Sequence, residues 1–171
     1  MEQKPITVEK RKRRKASKSA PKRRKTKKDM WAEYGLERPS KPRYSGLRGI
    51  VWHLLSLYVR TVRDKDKPCI GCGKEHEDYH GGHFIATGRC GWDGLALNPD
   101  NVHKEGASCN FRDKQKLEYE RNLDLRYGSG TAQKLRDIYY EYKHSGNQYK
   151  NWSQNEYREK IAYYKSQLDN V

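Results

Sequence analysis

A chain of 171 residues with 33% apolar and 35% charged residues and a formal net charge of +15 has room for one domain with a small core plus appendages. No apolar run is long enough to span a bilayer and the N-terminus carries no secretory h-region, so a membrane protein is excluded and the cytoplasm is the expected compartment. A core this small would gain from a structural metal, and in a reducing compartment four cysteines with one C-x2-C pair read as metal ligands before they read as disulfides.

The positive charge is concentrated at the start. Residues 1–29 carry 14 Lys and Arg against three acids, among them Arg11, Arg13, Arg14, Arg23 and Arg24. With almost no apolar side chains, this segment cannot offset its chain entropy by burial, so a disordered basic arm is expected, neutralising phosphates without reading sequence. A solubilising tail or a nuclear-import signal is the alternative. Residues 30–46, broken by Glu37-Arg-Pro-Ser-Lys-Pro42, read as a linker.

From Leu47 the pattern changes. Leu47, Val51, Leu55 and Ile50, Leu54, Tyr58, Val62 form two i,i+4 rows, which predicts a helix from Leu47 to Arg63 with Arg48, Arg60 and Arg63 on its other side as further phosphate contacts. Pro68 disfavours helix at the residue before it. Residues 68–110 show little helical period; strands are expected around His83–Ala86 and Asn101–His103. The acids Glu75, Glu77 and Asp78 read as a solvated turn. Helical patterning returns after Cys109 through Leu117, Arg121 and Leu125 and stops near Gly128-Ser-Gly130, so residues 47–128 form the expected core.

Residues 129–171 read as a C-terminal helical region. Thr131 is the expected N-cap of a helix burying Leu135, Ile138 and Tyr142, and Ser153-Gln-Asn-Glu156 is a capping-box pattern opening a helix that buries Tyr157, Ile161, Tyr164 and Leu168. Tyrosines interleaved with Lys and Arg here could stack on unpaired bases, but at helical spacing they read first as packing residues. The fold class is therefore α+β and mostly helical.

The chemistry concentrates between residues 69 and 110. Cys69-x2-Cys72 has zinc-knuckle spacing. Cys109 offers a third thiolate, but Gly106 stands where its C-x2-C partner would be, leaving the fourth ligand open. His83 falls on the first expected strand, His80 three residues before it, Asn101 at the second strand and Asn110 near the following helix. Phosphodiester hydrolysis needs a base to deprotonate water and a cation to stabilise charge on the phosphate and leaving oxygen. A strand bearing a histidine, a loop, a second strand and a helix with an asparagine near its start is the ββα-metal, or HNH, nuclease layout.

Cys69-Ile-Gly-Cys72-Gly73, Gly81-Gly82-His83-Phe84, Asn101-Val102-His103 and Cys109-Asn110 together resemble the NinG (Rap) family of phage recombination endonucleases, within the wider HNH/endonuclease VII group, over roughly residues 45–130. The resemblance implies a ββα-metal core with His83 as general base, Asn101 fixing the loop that orients it, and Asn110 with His80 or Asp78 as ligands of a catalytic Mg²⁺ or Mn²⁺. It also implies branched DNA, such as D-loops and Holliday junctions, as substrate, and the cytoplasm of a bacterial host as the setting. Binding opposing strands of a junction would favour a symmetric homodimer. Three positions depart from the expected pattern: Gly106 replaces the third zinc cysteine, Glu105 stands where the family commonly has Gln, and Gly82 stands where related nucleases often carry an acid or histidine. Cys90 is the expected fourth ligand of a structural Zn²⁺, with His103 and His76 as rivals. The expected function is a metal-dependent, structure-specific endodeoxyribonuclease; the alternative is a non-catalytic zinc-containing DNA-binding protein whose nuclease site has decayed.

Overall fold

Helix α2 (Gly46–Tyr58) organises the molecule because its two apolar rows bury Ile50, Val51, Leu54 and Leu55, and Val59 just beyond it, almost completely. The computed structural model describes residues 27–112, 116–145 and 149–170; the arginines at 11, 13, 14, 23 and 24 lie outside the described residues. Against α2 pack α1 (Lys27–Glu33), which delivers Trp31, and α8 (Gln154–Asp169), which delivers Ile161 and Tyr164. Burial of each such side chain is worth about 1.5–3 kcal/mol before entropy is charged against it. Trp31 is only 1% exposed, so residues 30–46, expected to be a linker, instead contribute to the core.

The helix leaves α2 through a π-helical turn, Val59–Arg63, in which the Asp64 amide reaches the Val59 carbonyl. This turn aims Arg63 at the carbonyls of Pro99 and Val102, at 2.5 and 2.6 Å, and at its neighbour Asp64. The end of α2 is thereby tied to the start of a two-stranded antiparallel sheet, β1 (Tyr79–His83) and β2 (Val102–Gly106). Its register pairs His80 with Glu105, Gly82 with His103 and His83 with Val102. Both strands are displaced from their expected positions, β1 earlier and β2 later.

Between the strands run two single-turn helices, α3 (Thr87–Cys90) and α4 (Asp93–Ala96). After β2 the chain continues directly into α5 (Ala107–Arg112), then α6 (Lys116–Tyr127) and α7 (Thr131–His144). A second core forms here from Ile70, Leu95, Tyr119, Leu123, Ala132 and Leu135. The buried face of α6 is that of Tyr119 and Leu123, whereas Leu117 and Leu125 are exposed. Thr131 is not the N-cap of α7. That position is Gly130, at φ 86°, and the Thr131 hydroxyl donates instead to the carbonyls of Gly128 and Tyr127. The capping box of α8 is present, with Ser153 and Glu156 bonded reciprocally. Among the described residues no helix is long and apolar enough to cross a membrane.

Candidate functional site

The turn after Cys69 closes when the Gly73 amide donates to the Cys69 carbonyl, with Gly73 in the left-handed region at φ 70°. That tight turn carries Cys69 and Cys72 toward α5, which supplies Cys109. The fourth side chain at this point is His76, whose Nε2 lies 3.1 Å from Cys72 Sγ and 3.7 Å from Cys109 Sγ. The four ligand atoms all lie within 4.8 Å of one another. A tetrahedral zinc with two or three thiolates has ligand–ligand edges of roughly 3.5–3.8 Å. The Cys3His cluster could therefore hold a metal such as zinc.

Charge crowding points the same way. Burial, then the neighbouring thiols of Cys72 and Cys69, pushes the Cys109 thiol up to about 12. Burial also opposes ionisation of Cys72, but His76 and the Lys74 amide outweigh it and bring that thiol to about 7. A cation at the centre would favour the deprotonated form of all three thiols.

Cys90, the expected fourth ligand, is elsewhere. Its Sγ donates to the Ile85 carbonyl at 3.2 Å, and burial pushes it up to about 11. His103 is engaged with the Tyr119 hydroxyl at 3.1 Å and is lowered to about 3 by burial and then by Arg63. His76 was readable as a rival because it completes C-x2-C-x3-H, but nothing in the sequence ranked it above Cys90.

On the outer side of the sheet, β1, α2 and α5 border an open cavity of about 490 Å³ that is lined in part by Arg43, Arg60, His80, His83, Glu105 and Asn110. His83 enters at the end of β1. Its ring stacks on Trp52 with centroids 4.7 Å apart and planes 8° from parallel. Its Nε2 lies 2.9 Å from the Ala96 carbonyl, which can only accept, so this nitrogen carries the hydrogen. Burial lowers His83 to about 4; the carbonyls of Ala96 and Gly81 partly oppose that, and the Arg43 charge adds to it. The imidazole is neutral at pH 7, with Nδ1 as its basic nitrogen.

Asn101 is fully buried and acts as a staple. Its Oδ1 accepts from the Ile85 amide at 2.7 Å while its Nδ2 donates to the carbonyls of Ile85 and Leu95, at 3.2 and 3.1 Å. Residues 85 and 95 bracket the loop that ends in Ala96, so Asn101 fixes the carbonyl that orients His83. Asn110 projects from α5 and its Nδ2 lies 3.2 Å from His80 Nδ1. These two expected ligands are thus together at the cavity.

The three expected phosphate-binding arginines, one on α2 and two on the turn that follows it, separate. Arg48 Nε lies 2.6 Å from the buried Asp93 in an ion pair without the alignment of a hydrogen bond, and Asp93 also accepts from the Tyr157 hydroxyl of α8. Arg63 is committed to Asp64 and the β2 backbone. Arg60 alone borders the cavity, donating to the Ser56 and Tyr79 carbonyls on the way. Arg43, which the sequence did not single out, lies on the cavity wall with Nη2 3.1 Å from the Thr87 hydroxyl. Trp52 and Glu105 were likewise missed as members of the site.

The family described as Bacteriophage Lambda NinG protein matches residues 2–171. The chain belongs to the NinG family. The match extends well beyond residues 45–130 and covers the N-terminal segment and the C-terminal helices. No curated protein and no solved structure matches the chain.

Proposed function

We propose that this NinG-family chain is a metal-dependent DNA endonuclease of the ββα-metal, or HNH, type, cutting branched recombination intermediates such as D-loops and Holliday junctions. The observation that carries the reading is His83: a neutral imidazole at a cavity wall, its Nε2 hydrogen given to the Ala96 carbonyl and its Nδ1 left basic. A water beside Nδ1 loses its proton to that nitrogen as its oxygen bonds to phosphorus, and the bond from phosphorus to the leaving sugar oxygen breaks. The resulting imidazolium is stabilised by the Ala96 carbonyl, which accepts from Nε2. Arg43 and Arg60 on the cavity wall suit a phosphate diester, and the basic N-terminal segment adds phosphate contacts without base readout.

His80 and Asn110 would hold a divalent cation, Mg²⁺ or Mn²⁺, and their nitrogen and amide-oxygen donors at an open cavity suit a partly hydrated hard ion. When bound, that ion supplies charge stabilisation at the phosphate and the leaving oxygen. The Cys3His cluster is assigned a structural zinc, which fastens α5, and with it Asn110, to the knuckle. A homodimer would bring two such sites to opposing strands of a junction.

Linear, forked and four-way DNA incubated with the zinc-loaded protein and Mg²⁺, Mn²⁺ or EDTA tests the reading. Metal-dependent nicking of branched DNA supports it; binding without cleavage under every condition favours the non-catalytic DNA-binding alternative.

A further inference from the structure

The cavity contains a buried carboxylate that the mechanism above leaves unused. Glu105 is 7% exposed, lies on β2 directly opposite His80, and lines the same cavity as His80, His83 and Asn110. Directly paired residues on one face of an antiparallel sheet have Cβ atoms about 4.5–5.5 Å apart. Two residues further along that face is Gly82, the neighbour of His83, and it has no side chain. A Cβ built there would lie 1.9 Å from Glu105 Oε2, 2.7 Å from its Cβ and 2.9 Å from its Cδ. The Glu105 side chain therefore folds over β1 into the space that a side chain at residue 82 would take.

We propose that Glu105 is the acidic ligand of the divalent cation, its carboxylate reaching across from β2 to stand beside the base. The inference rests on the nuclease reading for its chemistry, but the site is defined by its own geometry. His80 comes from β1, Glu105 from β2 and Asn110 from the first turns of α5, so three elements converge on one end of the cavity. Rotating the Asn110 amide by half a turn presents Oδ1 in place of the Nδ2 that faces His80. Mg²⁺ and Mn²⁺ sites of this kind use one or two carboxylates and complete the octahedron with water. Beside Arg43 and Arg60, a site of His and Asn alone would bring no negative charge to offset a dication; Glu105 brings it.

The test is a Mn²⁺ titration of the full-length, zinc-loaded protein without DNA, following loss of the free-ion signal by electron paramagnetic resonance. Wild type takes up Mn²⁺, Glu105→Gln weakens that uptake at least tenfold with zinc content and melting temperature unchanged, and the exchange Gly82→Asp with Glu105→Gly restores it from the other strand. Mn²⁺ uptake by Glu105→Gln equal to that of wild type, or no uptake by wild type, overturns the proposal. The two readings fail separately. Mn²⁺ binding that depends on Glu105 in a protein that never cleaves DNA upholds the site and removes the nuclease; cleavage that survives Glu105→Gln alongside unchanged Mn²⁺ binding does the reverse.

Discussion

Gly106 and His76 occupy one another's space: a Cβ at residue 106 would lie 2.5–2.7 Å from three atoms of the His76 ring. His76, from the loop after the knuckle, therefore fills the place beside the cysteines that a side chain at residue 106 on β2 would take. Removal of outer-shell partners alone costs 10–100-fold in metal affinity, so His76→Ala should lower zinc affinity by more than about 100-fold. His76→Ala with Gly106→Cys should recover most of it, and Cys90→Ser should leave zinc content at the wild-type level. Metal analysis after gel filtration against a graded chelator measures all three.

Asp64 is 2% exposed and holds Arg63, Lys67, the Tyr127 hydroxyl and the Lys104 amide. Burial would raise its carboxyl, but Arg63 and then Tyr127 override that and hold it well below the usual carboxylate range. Because its folded value is depressed, the stability it contributes is fully present above about pH 4 and is lost as the pH falls toward the folded value. Asp64→Asn leaves Arg63 buried without its counter-charge and should cost about 3 kcal/mol. Urea unfolding at pH 7 measures the loss, and the acid dependence of the wild type below pH 4 should be flattened in the variant.

His83 works in the same direction, at higher pH. Its folded value of about 4 lies below the ordinary 6.5, so between those limits the unfolded chain binds more protons and stability falls as the solution is acidified. Trp52→Ala would open one face of the ring to water and relieve the burial that causes the shift. The ring should then titrate nearer 6.5, and nitrogen-detected NMR of the wild type should show the neutral form protonated at Nε2.

Asn101→Ala should act on catalysis from a distance. It strips the partner from the Ile85 amide and from the Leu95 carbonyl, a loss of about 2–3 kcal/mol for buried groups. It also loosens Leu95, the neighbour of the Ala96 carbonyl that meets His83, so the cleavage rate on branched DNA should fall while DNA affinity holds. A rate unchanged at equal stability would separate Asn101 from the base.

What could be read from the chain was what depends on local spacing. The knuckle turn, the order of His83, Asn101 and Asn110, the α2 rows and the α8 capping box all lie within a few residues of their own signals. The strands were misplaced because Gly81 and Gly82 contribute no side chains to a period of two. The row Leu117, Arg121 and Leu125 marks α6 as a helix without naming its buried face: Tyr119 and Leu123 form an equally regular row, and only packing with Ala132 and Leu135 of α7 selects it. Long-range pairing hid the rest: Cys90 and His76 are equivalent as ligands until the sheet brings one of them to Cys109, and Arg48 and Arg63 look like free cations until Asp93 and Asp64 are beside them.

The proposed role of His83 Nδ1 as the base is open to direct measurement. The direct measurement compares wild type and His83→Ala on a four-way junction with Mg²⁺ or Mn²⁺, recording binding and nicking in the same samples. Equal binding is expected, with nicking by wild type and at least about a hundredfold less by the variant. Equal nicking by the two proteins, or none by wild type with either ion, would contradict it.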